Sequence, residues 1–419
     1  MVPYYFSGRL SQHLLWLACA AGVVGLLASR ALVALAPVVG VCAVLANPNV
    51  RREAGLYFRN GAAMRAAALF GFLLVSGLYT SEWATWRHEL FRSLTWLGVP
   101  LAFTLAVPLA GGQRRAVGAL FVLGTAAVGL ATSAQYLLDP GSANAAISVG
   151  QNMQSITGVF HIYFGVMLAL SFFWGLRLRQ HPEARLWWRG ALLGAAAAAA
   201  LTLHLLAYRT GLLVFYAGLL GYVGWLLTQK RLVMSLGILV LLALGPLLAY
   251  STLESVRHRV GSTLWDLNQY RTGQDLNDYS LSKRLVAAET AVIIIRQHWL
   301  LGVGPADAHA VMREQYDWRD YGLRDASQAD VHNQYLNALL GGGLVGLVLW
   351  LAVLFWPLTR RWARTNPDLC FFILIQATGM LVTDTLSLQI GLNMFVFGYG
   401  FLVVAGEARE QRKLLVAGC

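Results

Sequence analysis

The chain has 419 residues, of which 57% are hydrophobic and only 12% charged, about half the charged share of an average soluble domain. Its apolar residues gather in blocks near the roughly 20 that a helix needs to cross a bilayer, which excludes an ordinary soluble globule. The blocks are continuous rather than alternating, which argues against a membrane β-barrel, and the formal charge of +12 then has to be explained by topology rather than by nucleic acid.

The pattern predicts an all-α integral membrane protein with about twelve spans: 13–29, 31–47, 61–79, 93–111, 115–138, 155–176, 190–208, 211–228, 232–250, 333–356, 367–386 and 391–406. Residues 1–250 hold nine of them, 251–332 form one long loop, and 333–419 carry the last three and a tail. Between the third and fourth spans, "TSEWATWRHELFRSL" (80–94) offers Trp83 and Trp86 as interface anchors. The polar, glycine-bearing stretch 139–155 reads as a loop. The alanine run at 195–200 is small enough for close helix packing. In the long loop, "SKRLVAAETAVIIIRQHW" (282–299) reads as an amphipathic helix on the membrane surface, with Ser282 as its N-cap and "LGVGP" (301–305) as its stop.

With the N-terminus in the cytoplasm, the inner segments collect most of the 32 basic residues, among them Arg51, Arg52, Arg114, Arg115, Arg177, Arg179, Arg360 and Arg361. Of the 20 acids they take only Glu53, Glu183, Asp368, Glu407 and Glu410. This is the positive-inside bias, and it puts both termini in the cytoplasm and the long loop in the periplasm. The N-terminus lacks a cleavable-signal pattern, so the first span is expected to be retained. Cys19, Cys42 and Cys370 fall in spans and Cys419 is terminal, so no disulfide framework is expected. No phosphate-binding glycine loop is present. Polar exceptions within the spans are chiefly Gln135, His161, His204 and Gln376, which is not the carboxylate pattern of an ion-coupled transporter.

Candidate chemistry gathers where the outer loop meets the spans. His332 and Asn333 open "VHNQYLNALLGGGLVGLVLW" (331–350), and an imidazole there can act as a general base on a hydroxyl. Arg209, in "AYRTGLLVFY", ends the seventh span without an acid in the adjacent spans, and Arg284 sits near the start of the loop helix. Two guanidiniums supply forked donors for phosphate. Each of the three also has an ordinary reading: an interfacial histidine, a snorkelling arginine, a headgroup-facing arginine. Asp384 in "VTDTLSLQI" is a loop carboxylate able to orient a cation, and the glycines at 341–346 read as a helix-packing face. His298, Asp307 and His309 lack the spacing of a metal site, and none is expected.

Taken together, Arg209-x-x-x-Leu213, Arg284 followed by "HWLLGVGP", and His332-Asn333 with nine residues before Gly343-x-x-Gly346 resemble the O-antigen ligase family, within a wider ligase and polymerase superfamily. The resemblance implies an inverting glycosyltransferase of the bacterial inner membrane, without metal or cofactor. It would move a polysaccharide from undecaprenyl pyrophosphate to a sugar hydroxyl of lipid A-core, with membrane lipids but no nucleic acid as further partners. His332 would be the base, Arg209 and Arg284 the charge-neutralising pair, and Asn333, Asp384 and Gly304 substrate contacts. A polymerase or protein O-oligosaccharyltransferase of the same superfamily is the near alternative, and a lipid-linked glycan flippase the distant one.

Overall fold

The structure, a computed structural model, describes residues 7–417 except 183, 184, 275, 278, 279 and 320, with side chains as far as 413. Glu183 and Cys419 lie outside the described residues. Those described are mainly helical, with no strand among them.

Helices α1 (Arg9–Ala28) and α2 (Arg30–Leu45) form a hairpin with a single non-helical residue, Ser29, whose hydroxyl caps α2 by accepting from Leu32 N at 3.4 Å. The charged α3 (Val50–Arg59) meets α4 (Gly61–Ser76) at a 74° bend. Asn60 fixes that bend, accepting from Ala63 N at 3.0 Å and donating to Val404 O at 3.0 Å. Helix α5 (Trp83–Arg92) leads into the short α6 (Thr95–Leu105) and the 28-residue α7 (Gly111–Leu138). The stretch after α7 is not simply a loop: Asp139 accepts from Ser142 N and Pro140 occupies the first turn, so α8 (Pro140–Ser148) forms.

Helix α9 (His161–Leu178) is the centre of the bundle, with Phe164, Met167, Leu168 and Ala169 fully buried. It is flanked by α7, α10 (Leu186–Leu205) and α11 (Arg209–Thr228). The alanine run does its expected work in α10, where Ala196 and Ala199 have no exposed surface. At the start of α9 and α11 the backbones nearly touch: a Cβ on Gly165 would sit 2.9 Å from Gly211 Cα. That approach brings His161 and Arg209 to one place. Helix α12 (Leu232–Thr252) packs on α11 and leaves much of its leucine surface exposed.

The long loop is a small folded unit. It holds α13 (Glu254–Thr272) and α15 (Ala308–Trp318) besides the expected helix, which runs as α14 (Ser280–Gln297). Val286, Ala287, Ala291 and Ile294 of α14 are buried with Met312, Tyr316, Val331 and Leu340. The apolar face read as membrane-directed is therefore covered by protein.

Helix α16 (Gln334–Phe355) is broken at Gly343, at φ 58° and ψ −160°. Here the expected packing face does something further. The turn after α14 lies across the break as an extended partner: Val303 N donates to Leu340 O, Gly304 N to Gly341 O, Leu344 N to Trp299 O and Val345 N to Leu300 O, at 2.8–3.3 Å. Gly342 and Gly346 do pack closely, against Phe72 of α4. The chain ends with α17 (Arg361–Arg364), α18 (Pro367–Gly379), α19 (Gln389–Tyr399), a π-helical turn at Gly400–Val404 and α20 (Ala405–Ala417).

Among the described residues, eight helices are long and apolar enough to cross a membrane, or nine if the bent α3–α4 pair counts as one span, against the twelve expected. The shortfall has a local cause. Helices α2, α4, α6 and α18 have 16, 16, 11 and 13 residues, because apolar residues beside them lie in turns and extended segments that a hydropathy window cannot separate from helix.

Candidate active site

His332 stands between two anchored neighbours. Val331 is 2% exposed in the loop core, and Asn333 caps α16, accepting from Tyr335 N at 2.9 Å and Leu336 N at 3.0 Å. The Asn333 amide also donates to Leu381 O, so this expected substrate contact is already engaged at both ends. His332 Nδ1 lies 3.2 Å from Asp384 Oδ1. Against a carboxylate, which only accepts, Nδ1 is the donor, and the Nε2 lone pair is left open. The imidazole remains about one-third exposed while the carboxylate is largely covered.

The α18–α19 turn that carries Asp384 acts as a hub. Gln334 N donates to Met380 O, Leu386 N to Gln334 Oε1, and Arg92 reaches Ser387 O. Arg284 Nη1 donates to Val382 O at 3.0 Å. Arg284 and His332 thus grip one turn, the first at Val382 and the second at Asp384.

Arg209 is held by Thr263 Oγ1 at 3.1 Å and Ser280 Oγ at 3.0 Å, joining α11 to the loop helices. The acid that its own span lacks comes from α13: Asp266 is within its electrostatic reach. That carboxylate is itself occupied at the start of α14, accepting from Leu281 N at 2.5 Å and Ser282 N at 3.0 Å.

Two members of this cluster are not singled out by sequence. Arg259 of α13 is only 4% exposed, and its guanidinium donates from Nη2 to Gln151 O at 2.9 Å. Its Nε and Nη1, the Arg284 Nε and the His161 Nδ1 are buried without partners among the described residues. Burial, followed by the neighbouring charge of Arg209, pulls the Arg259 guanidinium down to about 10. Burial and then Arg209 also lower Arg284, against the opposing pull of Asp384 and Asp266. The His161 ring lies within electrostatic reach of all three guanidiniums. Arginine in a polar loop helix gives no sequence signal of burial. His161 is visible in sequence only as one of the polar exceptions within a predicted span.

Gly304 sits at φ +104° in the turn that pairs with the α16 break, and a Cβ there would approach Asp307 Oδ2 at 2.7 Å. Asp307, 5% exposed, accepts from Thr80 Oγ1 at 2.5 Å, Ser81 Oγ at 2.7 Å and Ser81 N at 2.8 Å. This clamp ties the loop to the start of α5. His309 pairs instead with Asp330 at 2.7 Å, so Asp307 and His309, both weighed as metal ligands, have separate partners. Among the described residues no three His, Cys, Asp or Glu gather as a metal site.

Beside the His332–Asp384 pair lies a cavity of about 350 Å³. Asp384, Glu89, Arg92, Asp330 and Asn337 form its polar side, and Trp96, Trp350 and Leu69 line its apolar depth.

Residues 194–351 match a family model described as O-antigen ligase. This stretch belongs to the O-antigen ligase superfamily. The ligase-family segment contains Arg209, Arg259, Arg284, His332 and the α16 break, while Asp384 and His161 approach it from outside. Membership implies a multi-pass membrane enzyme of glycosyltransferase type that handles lipid-linked polysaccharide. No curated protein matches the chain.

Proposed function

We propose that the protein is an O-antigen ligase. It transfers polysaccharide from undecaprenyl pyrophosphate to a sugar hydroxyl of lipid A-core, on the periplasmic side of the bacterial inner membrane. The observation that carries this reading is the juxtaposition of a hydrogen-bonded His332–Asp384 pair with three largely buried guanidiniums, Arg209, Arg259 and Arg284. Two of them, Arg259 and Arg284, keep buried N–H groups without a partner among the described residues. Unpaired buried donors are costly, and a diphosphate is the kind of ligand that satisfies several at once.

In the proposed step, His332 Nε2 takes the proton of the acceptor hydroxyl as its oxygen attacks the anomeric carbon. The bond from that carbon to the phosphate oxygen breaks with inversion, and the electron pair leaves on the pyrophosphate. Arg209, Arg284 and Arg259 stabilise the charge that grows there, a preorganised electrostatic contribution of the kind that is usually the largest in catalysis. Asp384 holds the imidazole in the tautomer that can accept a proton and stabilises it once charged. The 350 Å³ cavity beside Asp384 offers the acceptor sugar polar groups and an apolar floor. The donor brings its own leaving group, so the step needs neither nucleotide nor metal.

The charge bias supports the sidedness: Arg51, Arg52, Arg114, Arg115, Arg360 and Arg361 belong to the end away from His332. Purified protein given lipid-linked polysaccharide should modify lipid A-core, and should not extend a second donor molecule or a pilin-like protein. Preference for either of those acceptors would overturn the ligase assignment.

A further inference from the structure

A second cavity, about 360 Å³, opens at the end of the bundle opposite His332 and runs inward between α1, α7, α9, α18 and α19. Its depth is apolar, with walls that include Phe121, Leu170, Phe372 and Phe397. Its mouth is cationic: Arg114, Arg115 and His181 approach from α7 and the end of α9, and Arg409 from α20. The one carboxylate in the lining, Asp368, is paired with Arg177 at 3.6 Å.

Arg114 and Arg409 act on each other as like charges, and Glu410 is the acid that offsets Arg409. Neither guanidinium makes a hydrogen bond or ion pair among the described residues. Facing like charges at the lip of an apolar slot cost stability unless an anion joins them. The π-helical turn at Gly400–Val404 is a second, independent feature. Such turns concentrate at functional sites. This one places Phe401 and Leu402 in the cavity wall and sets the register that brings Arg409 to the mouth. Nearby, Trp187 is 65% exposed and lines an adjoining cavity with Arg115 and His181, which marks the level of lipid headgroups.

We infer that this slot binds one anionic phospholipid of the leaflet away from the active site, with the phosphate between Arg114 and Arg409 and an acyl chain in the apolar depth. The occupant is a lipid rather than a soluble phosphate because the apolar volume lies directly behind the charges, within the roughly 300–1,000 Å³ of small-molecule sites. The inference does not depend on which acceptor the enzyme uses.

Native mass spectrometry of protein exchanged into phosphatidylglycerol or phosphatidylcholine tests it. Wild type should retain one phosphatidylglycerol through delipidation at least tenfold longer than phosphatidylcholine. Arg114→Gln/Arg409→Gln should lose that preference, and Gly118→Phe, whose ring would enter the slot past the flexible tip of Leu178, should shed the lipid while both arginines remain. Thermal melting confirms that each variant is folded. Equal retention of the two lipids, an unchanged preference in the double variant, or displacement by glycerol 3-phosphate would each overturn the inference.

Discussion

Gly343→Ala examines how the site is assembled. The residue's φ and ψ fall in a region open essentially to glycine, where another residue costs about 1–3 kcal/mol. An added Cβ would also collide with the Leu300 carbonyl and lie 2.5 Å from the Gly302 amide nitrogen, both of which are backbone and cannot rotate away. The turn would have to lift off α16, exposing the four hydrogen bonds that join Trp299–Gly304 to Leu340–Val345. At roughly 0.5–1.5 kcal/mol net for each, their loss with the strain makes this one of the more damaging single changes available. The damage falls between Arg284, on the helix that the turn terminates, and His332, at the entrance to α16. Melting of the purified variant in detergent should drop by several degrees and transfer should be lost, whereas Gly71→Ala, with nothing within 4 Å of its added Cβ, should be tolerated. A Gly343→Ala protein with wild-type melting and turnover would refute the reasoning.

Asp384→Asn should leave folding nearly intact but lower kcat on the order of 10²-fold with little change in acceptor KM; an unchanged kcat would remove Asp384 from the base. Arg259→Ala should raise the donor KM about tenfold or more, and Arg259→Lys should recover only part of it if the forked geometry matters; donor saturation curves at fixed acceptor measure both. Burial raises the Asp307 carboxyl, but hydrogen bonds from Thr80, Ser81 and Glu82 outweigh it and hold the group below its ordinary value. Its contribution is therefore present at neutral pH and disappears as pH falls below about 4. The melting difference between wild type and Asp307→Asn should be largest near neutral pH and shrink in acid; a difference independent of pH would show that the carboxylate charge is irrelevant.

Much of the molecule is legible in the sequence because hydrophobic blocks report membrane helices directly. The loop helix expected at 282–299 forms at Ser280–Gln297, a shift of one half-turn, while His332, Arg209, Arg284 and Asp384 each carry an ordinary reading when taken singly and become candidates by their combination and the resemblance. What stays hidden depends on contacts distant in sequence. Arg259 looks like any arginine of a polar helix until Arg209 and Gln151 are seen around it. Glycines at 341–346 signal close packing, but not that a turn far upstream pairs with the break. The predicted spans 31–47, 61–79, 93–111 and 367–386 are longer than the helices found there, because apolar turns and apolar helices share one composition. Asn333 reads as a substrate contact from its chemistry, while its position makes it a helix cap.

The most direct measurement is transfer by purified His332→Ala, shown by melting to be folded, with lipid-linked polysaccharide and lipid A-core supplied together. Turnover should fall at least about 10²-fold, the worth of a general base, while protection of the protein by inorganic pyrophosphate persists through the intact guanidiniums. Transfer near the wild-type rate would contradict the assignment of His332 as the base.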